Sequence, residues 1–189
     1  STGYDYKQLI SKFVMGAVFY NQAVDNYMDE KLSAKKKPND KGYKKGKHYT
    51  GKEHSWDEAF GYFGAAAHGL TLSAKQNYEI AKLGKKSKSS EAALKLADYN
   101  GDGVVDLYRE MNFAHAYYAS AYDKKGKTSY YKDIVQGFID GRKLITSAKG
   151  EKLSNEQRSK LREIAADIES NWEKVIAESV FKYAGSVYK

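Results

Sequence analysis

Along most of this chain, apolar side chains return at alternating steps of four and three, the repeat of one stripe on an α-helix. Between residues 4 and 30 the series is Tyr6, Ile10, Phe13, Ala17, Tyr20, Val24 and Tyr27. Trp56, Phe60, Phe63 and Ala67 line a second helix, and Tyr131, Ile134, Phe138 and Ile145 mark a third. Leu161, Ala165, Ile168, Trp172, Val175, Ser179 and Tyr183 carry a last one towards the C-terminus. No segment alternates convincingly as a strand would. The pattern predicts an all-α fold, a single domain over 1–189. Its architecture is an antiparallel bundle of about four long helices with smaller ones inserted.

Local signals place the ends. Ser55 with Glu58, and Ser154 with Gln157, each fit a capping box, in which side chain and backbone bond reciprocally at a helix start. Shorter helices are expected over 72–83, Glu91 to Ala97 and Leu107 to Tyr122, with a polar break from Lys85 to Ser90. The last helix would exceed about 30 residues, so a kink is expected near Ser170 or Gly185. Gly137 and Gly141, one turn apart, argue for close helix packing.

Between two of these helices the chain reads Asp98-Tyr-Asn100-Gly-Asp102-Gly103-Val104-Val-Asp106. A calcium-binding EF-hand loop takes oxygens from positions one, three, five, seven, nine and twelve, with glycine at six. Asp98, Asn100, Asp102 and Asp106 fill one, three, five and nine. Gly103 fills six, and the Val104 carbonyl stands at seven. Position twelve is Arg109, which cannot bind a cation, and Glu110 follows it one residue late. The expectation is a Ca²⁺ site closed by a non-standard last ligand. The plainer reading is a turn rich in Asx and glycine.

The net charge of +8 invites a nucleic-acid reading until it is located. Residues 31–52 hold nine lysines and one aspartate, which leaves 23 basic and 23 acidic residues in the remainder. The basicity is therefore one lysine-rich segment, expected as a solvated surface loop with no role in the core. That segment has no arginine, the residue nucleic-acid recognition favours, so no nucleic-acid partner is expected. There is no cysteine, which excludes disulfides, thiolate metal sites and a cysteine nucleophile and suits an oxidising periplasm. No apolar run approaches the roughly 18 residues a membrane span needs, and no signal peptide is visible. Tyrosine is abundant, 17 against 7 Phe and 2 Trp, as at amphipathic edges of a helical core.

A second constellation is His54 and Glu58, an imidazole and a carboxylate one turn apart on a helix. Such a pair suits iron or zinc. Alone it is also an ordinary hydrogen bond near a helix start. Further ligands would have to come from Glu110, His115 or Glu173. No Glu-x-x-His motif supports a di-iron bundle. No glycine-rich phosphate loop, Gly-x-Ser-x-Gly elbow or His-Glu-x-x-His motif is present.

Four stretches carry a resemblance. They are Lys47 to Gly64 with its Trp56-Asp57-Glu58-Ala-Phe60-Gly61-Tyr62-Phe63-Gly64 run, Asn100 to Phe113, Ile134 to Arg142, and Asn171 to Lys174. Together they resemble an uncharacterised bacterial family, the domain of unknown function 4856, placed near the imelysins. The resemblance implies a secreted or lipid-anchored, all-α envelope protein of imelysin-like fold, with further residues upstream. Imelysin relatives are linked to iron acquisition and were once classed as peptidases. Their Gly-x-His-x-x-Glu hallmark is altered here: Gly51 precedes His54 by three, and the glutamate follows at four. The lysine insertion at 31–47 looks peculiar to this chain. The leading expectation is a non-enzymatic, calcium-stabilised helical binding protein of the envelope, linked to iron acquisition, with an envelope ligand or protein as partner. The alternatives are a peptidase-like metallohydrolase using His54 and Glu58, and a structural protein that self-associates through tyrosine-rich faces.

Overall fold

A computed structural model describes residues 3–33, 35–83 and 90–187. The chain is all-helical, with no strand among the described residues beyond one isolated bridge between Gly42 and Thr50. The expected break over 85–90 lies outside the described residues except for Ser90. Among the described residues seven α-helices form: α1 (Tyr6–Phe13), α2 (Gly51–Phe63), α3 (Ala74–Ile80), α4 (Glu91–Ala97), α5 (Ala114–Asp123), α6 (Tyr130–Ser147) and α7 (Asn155–Val187). The chain divides into two compact units, residues 1–63 with 142–162, and residues 64–141 with 163–189.

In the first unit, α1 continues without a break into wider π-type turns over Val14–Tyr20 and Gln22–Asp29, then a short tightened turn at Glu30–Leu32. This widening moves the buried face. Of the expected stripe, Tyr6, Ile10 and Phe13 are exposed while Val24 is buried as expected, and the core here is Ala23, Val24, Met28 and Leu32. The last three lie four apart, the spacing that wider turns bring onto one line. They share this unit with Trp56, Ala59, Phe63, Ile145, Leu153 and Leu161, all buried.

Helix α2 starts four residues before the expected cap. Thr50 and Glu53 fit the same Ser/Thr-x-x-Glu pattern as Ser55 and Glu58, and they form the box: Glu53 N–H donates to Thr50 Oγ1 at 3.1 Å, and Thr50 N–H to Glu53 Oε2 at 2.8 Å. Ser55 is buried inside the helix. The lysine-rich segment is tied down more firmly than its composition suggests. Asn39 is buried, its amide donating to the Ile145 and Glu151 carbonyls at 3.3 and 2.9 Å while its oxygen accepts from Thr50 Oγ1 at 2.7 Å. Lys52 is also buried, donating to the Lys31 and Ser33 carbonyls at 2.7 and 2.9 Å. Those carbonyls end the helical stretch over 6–32, where the backbone dipole favours a cation.

In the second unit, Gly64 stops α2 in the left-handed region, at φ +84°. Its carbonyl accepts from Phe113 N–H at 2.9 Å, and Ala67 N–H donates to the Arg109 carbonyl at 2.7 Å. Asn112, fully buried, locks the same crossing: its Oδ1 accepts from Ala66 N–H and the Tyr131 hydroxyl, and its Nδ2 donates to Asn77. Around this crossing Ala66, Ile80, Leu83, Ala93 and Ala97 form an apolar cluster. Residues 107–110 form a turn closed by the Asp106 carbonyl and 111–113 lie outside any helix, so the helix expected from Leu107 begins only at Ala114. Ser154 and Gln157 form their box as expected, and α7 runs unbroken through Ser170 and Gly185. Near the middle of α7, Ala165, Ile168, Trp172 and Val175 are buried as their spacing requires.

Candidate functional site

Helix α4 delivers Asp98 as its C-cap, and the chain then wraps back around that carboxylate. Asp98 Oδ1 accepts from Asp102 N–H at 3.1 Å, and Oδ2 from Gly103 N–H at 2.9 Å. Asn100 Oδ1 accepts from Asp102 N–H, and Asp102 Oδ1 from Val104 N–H. These are the Asx turns that short polar side chains make with the backbone two residues on. Gly101 and Gly103 sit at φ +73° and +84°, so the turn glycine of the motif is needed where the sequence puts it.

Glu110 is the residue on which the loop closes. It is buried, and both its oxygens face inward. Oε1 accepts from the amides of Tyr99 and Asn100 at 3.0 and 3.2 Å, and Oε2 from that of Asp106 at 2.8 Å. One carboxylate thus ties the start of the loop to its end, with charge-assisted bonds of the stronger kind. Asp106 itself accepts from Tyr108 N–H and stands 3.8 Å from Arg109 Nε. The sequence-expected set of Asp98, Asn100, Asp102, Val104, Asp106 and Glu110 is therefore gathered on one loop, with its side chains aimed at the loop's own amides.

The second constellation lies on α2 in the first unit. His54 Nε2 stands 3.4 Å from Glu58 Oε1, both side chains partly exposed. The imidazole is flanked by two tyrosines from the lysine-rich segment, Tyr43 tilted against it with ring centroids 3.7 Å apart and Tyr49 stacked at 5.8 Å. Tyr27 lies near Glu58, and burial, then that carboxylate, raises the phenol's pKa. Lys31 lies over the Tyr27 ring, 3.7 Å from its centroid, and burial lowers its own pKa. Beside this group Arg142 bridges Glu53 at 2.6 Å and Asp57 at 2.9 Å. Burial alone would raise the Glu53 carboxyl. The Thr50 amide, the Thr146 hydroxyl and Arg142 outweigh it and hold that carboxyl below its ordinary range.

His54 and Glu58 are thus brought together as expected. The proposed additional ligands serve other contacts: Glu110 closes the loop, His115 packs edge-on against Trp172 with ring centroids 5.5 Å apart, and Glu173 is exposed on α7. Among the described residues, no three His, Asp or Glu side chains gather closely enough to hold a metal ion. Sequence reasoning missed Tyr27, Tyr43 and Tyr49 around His54. Their signal was only that tyrosines flank the lysines and that Gly46, at φ +79°, marks the turn whose ends join Tyr43 N–H to the Tyr49 carbonyl.

The fold and these two groups define an all-helical module carrying an Asx-rich loop and a tyrosine-packed histidine–glutamate pair. A family model described as Domain of unknown function (DUF4856) matches residues 1–99, just over half of the chain, and the chain belongs to that family. The match takes in the lysine-rich segment and the Trp-Asp-Glu run of α2, and it ends inside the Asx-rich loop. No curated protein and no solved structure matches the chain. No helix among the described residues is long and apolar enough to cross a membrane.

Proposed function

We propose that the protein is a non-enzymatic, calcium-stabilised helical binding module of the bacterial envelope. The antiparallel bundle of about four long helices expected from the sequence is part of this reading. The reading rests on one observation: the chain from Asp98 to Gly103 is already wound around the Asp98 carboxylate in EF-hand register, with Glu110 drawn back onto the loop. The donors are hard oxygens, the type calcium takes at six to eight positions. Each carboxylate oxygen that accepts an amide keeps a further lone pair for a cation. To hold the ion, Asp98, Asn100, Asp102, Asp106 and the Val104 carbonyl would have to draw closer together than they stand here, with Glu110 closing the site. With arginine at position twelve the site is weak, in the range of about 10⁻⁴–10⁻³ M typical of extracellular modules. Such a site fills only where calcium is plentiful, which favours the envelope over the cytosol.

Thermal unfolding in calcium against EGTA tests the proposal. Calcium at a hundredfold excess over Kd stabilises by about 2.7 kcal/mol, and the midpoint rises accordingly. Asp98→Asn is expected to remove most of that rise. An unchanged midpoint at about 10–100 mM calcium, a hundredfold above that range of Kd, would sink the reading.

One observation favours the structural alternative. Tyr6, Leu9, Ile10 and Phe13 on α1 are all more than half exposed, an apolar patch of the kind that marks contact surfaces. Sedimentation analysis of the wild type against Ile10→Ser/Phe13→Ser tests it. Self-association that disappears in the variant supports it, and a monomeric wild type removes it.

A further inference from the structure

The turn Lys124-Lys125-Gly126-Lys127 follows α5 and borders a groove of about 360 Å³ within the second unit. Tyr78 from α3, Tyr117 and Tyr122 from α5, and Lys182 from α7 also line it. Four lysines and a single acid, Glu178, therefore face one concavity. None of the four forms an ion pair with a carboxylate among the described residues. The ring of Tyr78 holds two ammonium groups, Lys82 at 4.3 Å and Lys124 at 4.0 Å from its centroid. Cations held this way are positioned without being neutralised. Converging like charges repel one another, and an ordinary surface interleaves the two signs. A bound anion would remove that cost.

We propose that this groove binds an acidic oligosaccharide, with ring carboxylates on Lys124, Lys125 and Lys182 and sugar faces against the half-buried Tyr117 and Tyr122. Its volume is that of a ligand site. Tyrosine offers a flat apolar body with a polar tip, which suits the C–H face and hydroxyls of a sugar. Phosphate is disfavoured by what the groove lacks. It has no arginine fork. The helix start beside it, that of α6, already gives its Tyr130 and Tyr131 amides to Asp123 at 3.1 and 2.7 Å, so no phosphate cradle is open there. Nothing in this inference depends on calcium.

The test is calorimetric titration of the full chain with tetragalacturonate and with its methyl ester, which keeps the sugar and removes the charge. The acid is expected to bind, and the ester about tenfold or more weaker. Lys124→Gln/Lys182→Gln, exchanged in a solvated groove and checked for helix content, should weaken the acid by a similar factor. An oligothymidylate of matched charge and vesicles containing phosphatidylserine serve as competing polyanions. Three results would each overturn the proposal: no binding of the acid, equal affinity for acid and ester, or an affinity unmoved in the double variant. Equal or tighter binding of the oligothymidylate or the vesicles overturns it in favour of general polyanion attraction.

Discussion

A single buried carboxylate carries the Asx-rich loop. Glu110 accepts three backbone amides that would otherwise be left without partners. Glutamine has one acceptor oxygen, and its amide would confront one of those N–H groups. Glu110→Gln is therefore expected to lower stability by about 2–3 kcal/mol, read from urea unfolding in EGTA, where no cation contributes. A loss below half a kcal/mol would show that solvent can replace the carboxylate. Position alone made this residue look like an imperfect twelfth ligand. Its distance from position twelve is what lets it reach back to both ends of the loop.

At the scale of elements, the junctions decide more than the helices do. The segments at 64–67 and 109–113 pair through Gly64, Ala67, Arg109 and Phe113, and that pairing replaces the first two turns expected of α5. A Cβ at Gly64 would meet the Phe113 carbonyl oxygen at 2.8 Å, and φ is +84°. Gly64→Ala should cost about 2 kcal/mol or more in thermal or urea unfolding, whereas Gly61→Ala, where the added Cβ meets open space, should be neutral or better. The helices were legible because burial follows the side-chain repeat: Ile134, Phe138, Ile168 and Trp172 are buried as spaced. Three things were not legible. The wide turns of the first helix change its repeat, so Tyr6, Ile10 and Phe13 fall outside the core although their spacing is sound. The pairing at Asn112 joins residues 35 and 46 positions apart, and no local pattern announces a contact of that range. The loop register was plain in sequence because its ligands are local. The tyrosines around His54 were hidden because a chain reversal brings them there.

For the molecule as a whole, the buried Lys52 makes stability depend on pH in an unusual direction. Burial, with Arg162 and Arg158 nearby, lowers its pKa from 10.5 to about 8. Between those values the unfolded chain binds more protons than the folded one, so stability rises with pH. Below pH 8 the cost of the buried charge is fully present, and it is relieved as pH climbs towards 10. Unfolding midpoints at pH 7.5, 9 and 10 should therefore increase more steeply for the wild type than for Lys52→Met. Parallel curves would show that Lys52 keeps its ordinary titration. Raised tyrosine pKa values at Tyr118 and Tyr131 act in the opposite sense only above pH 10, so the window stays open.

Arg109 is the one lysine or arginine between Lys95 and Lys124, and its side chain is 80% exposed. A trypsin-like protease must draw several residues on each side of its target into an extended strand across its cleft. Here the chain on the C-terminal side is anchored by Glu110, and the Arg109 carbonyl is held by Ala67 N–H at 2.7 Å. The most accessible arginine of the loop should therefore be among the last sites cut in the native protein, with mass-spectrometric mapping of a timed digest as the readout. In Glu110→Gln the same bond should become an early cut, turning a durable loop into the first place where the chain is lost.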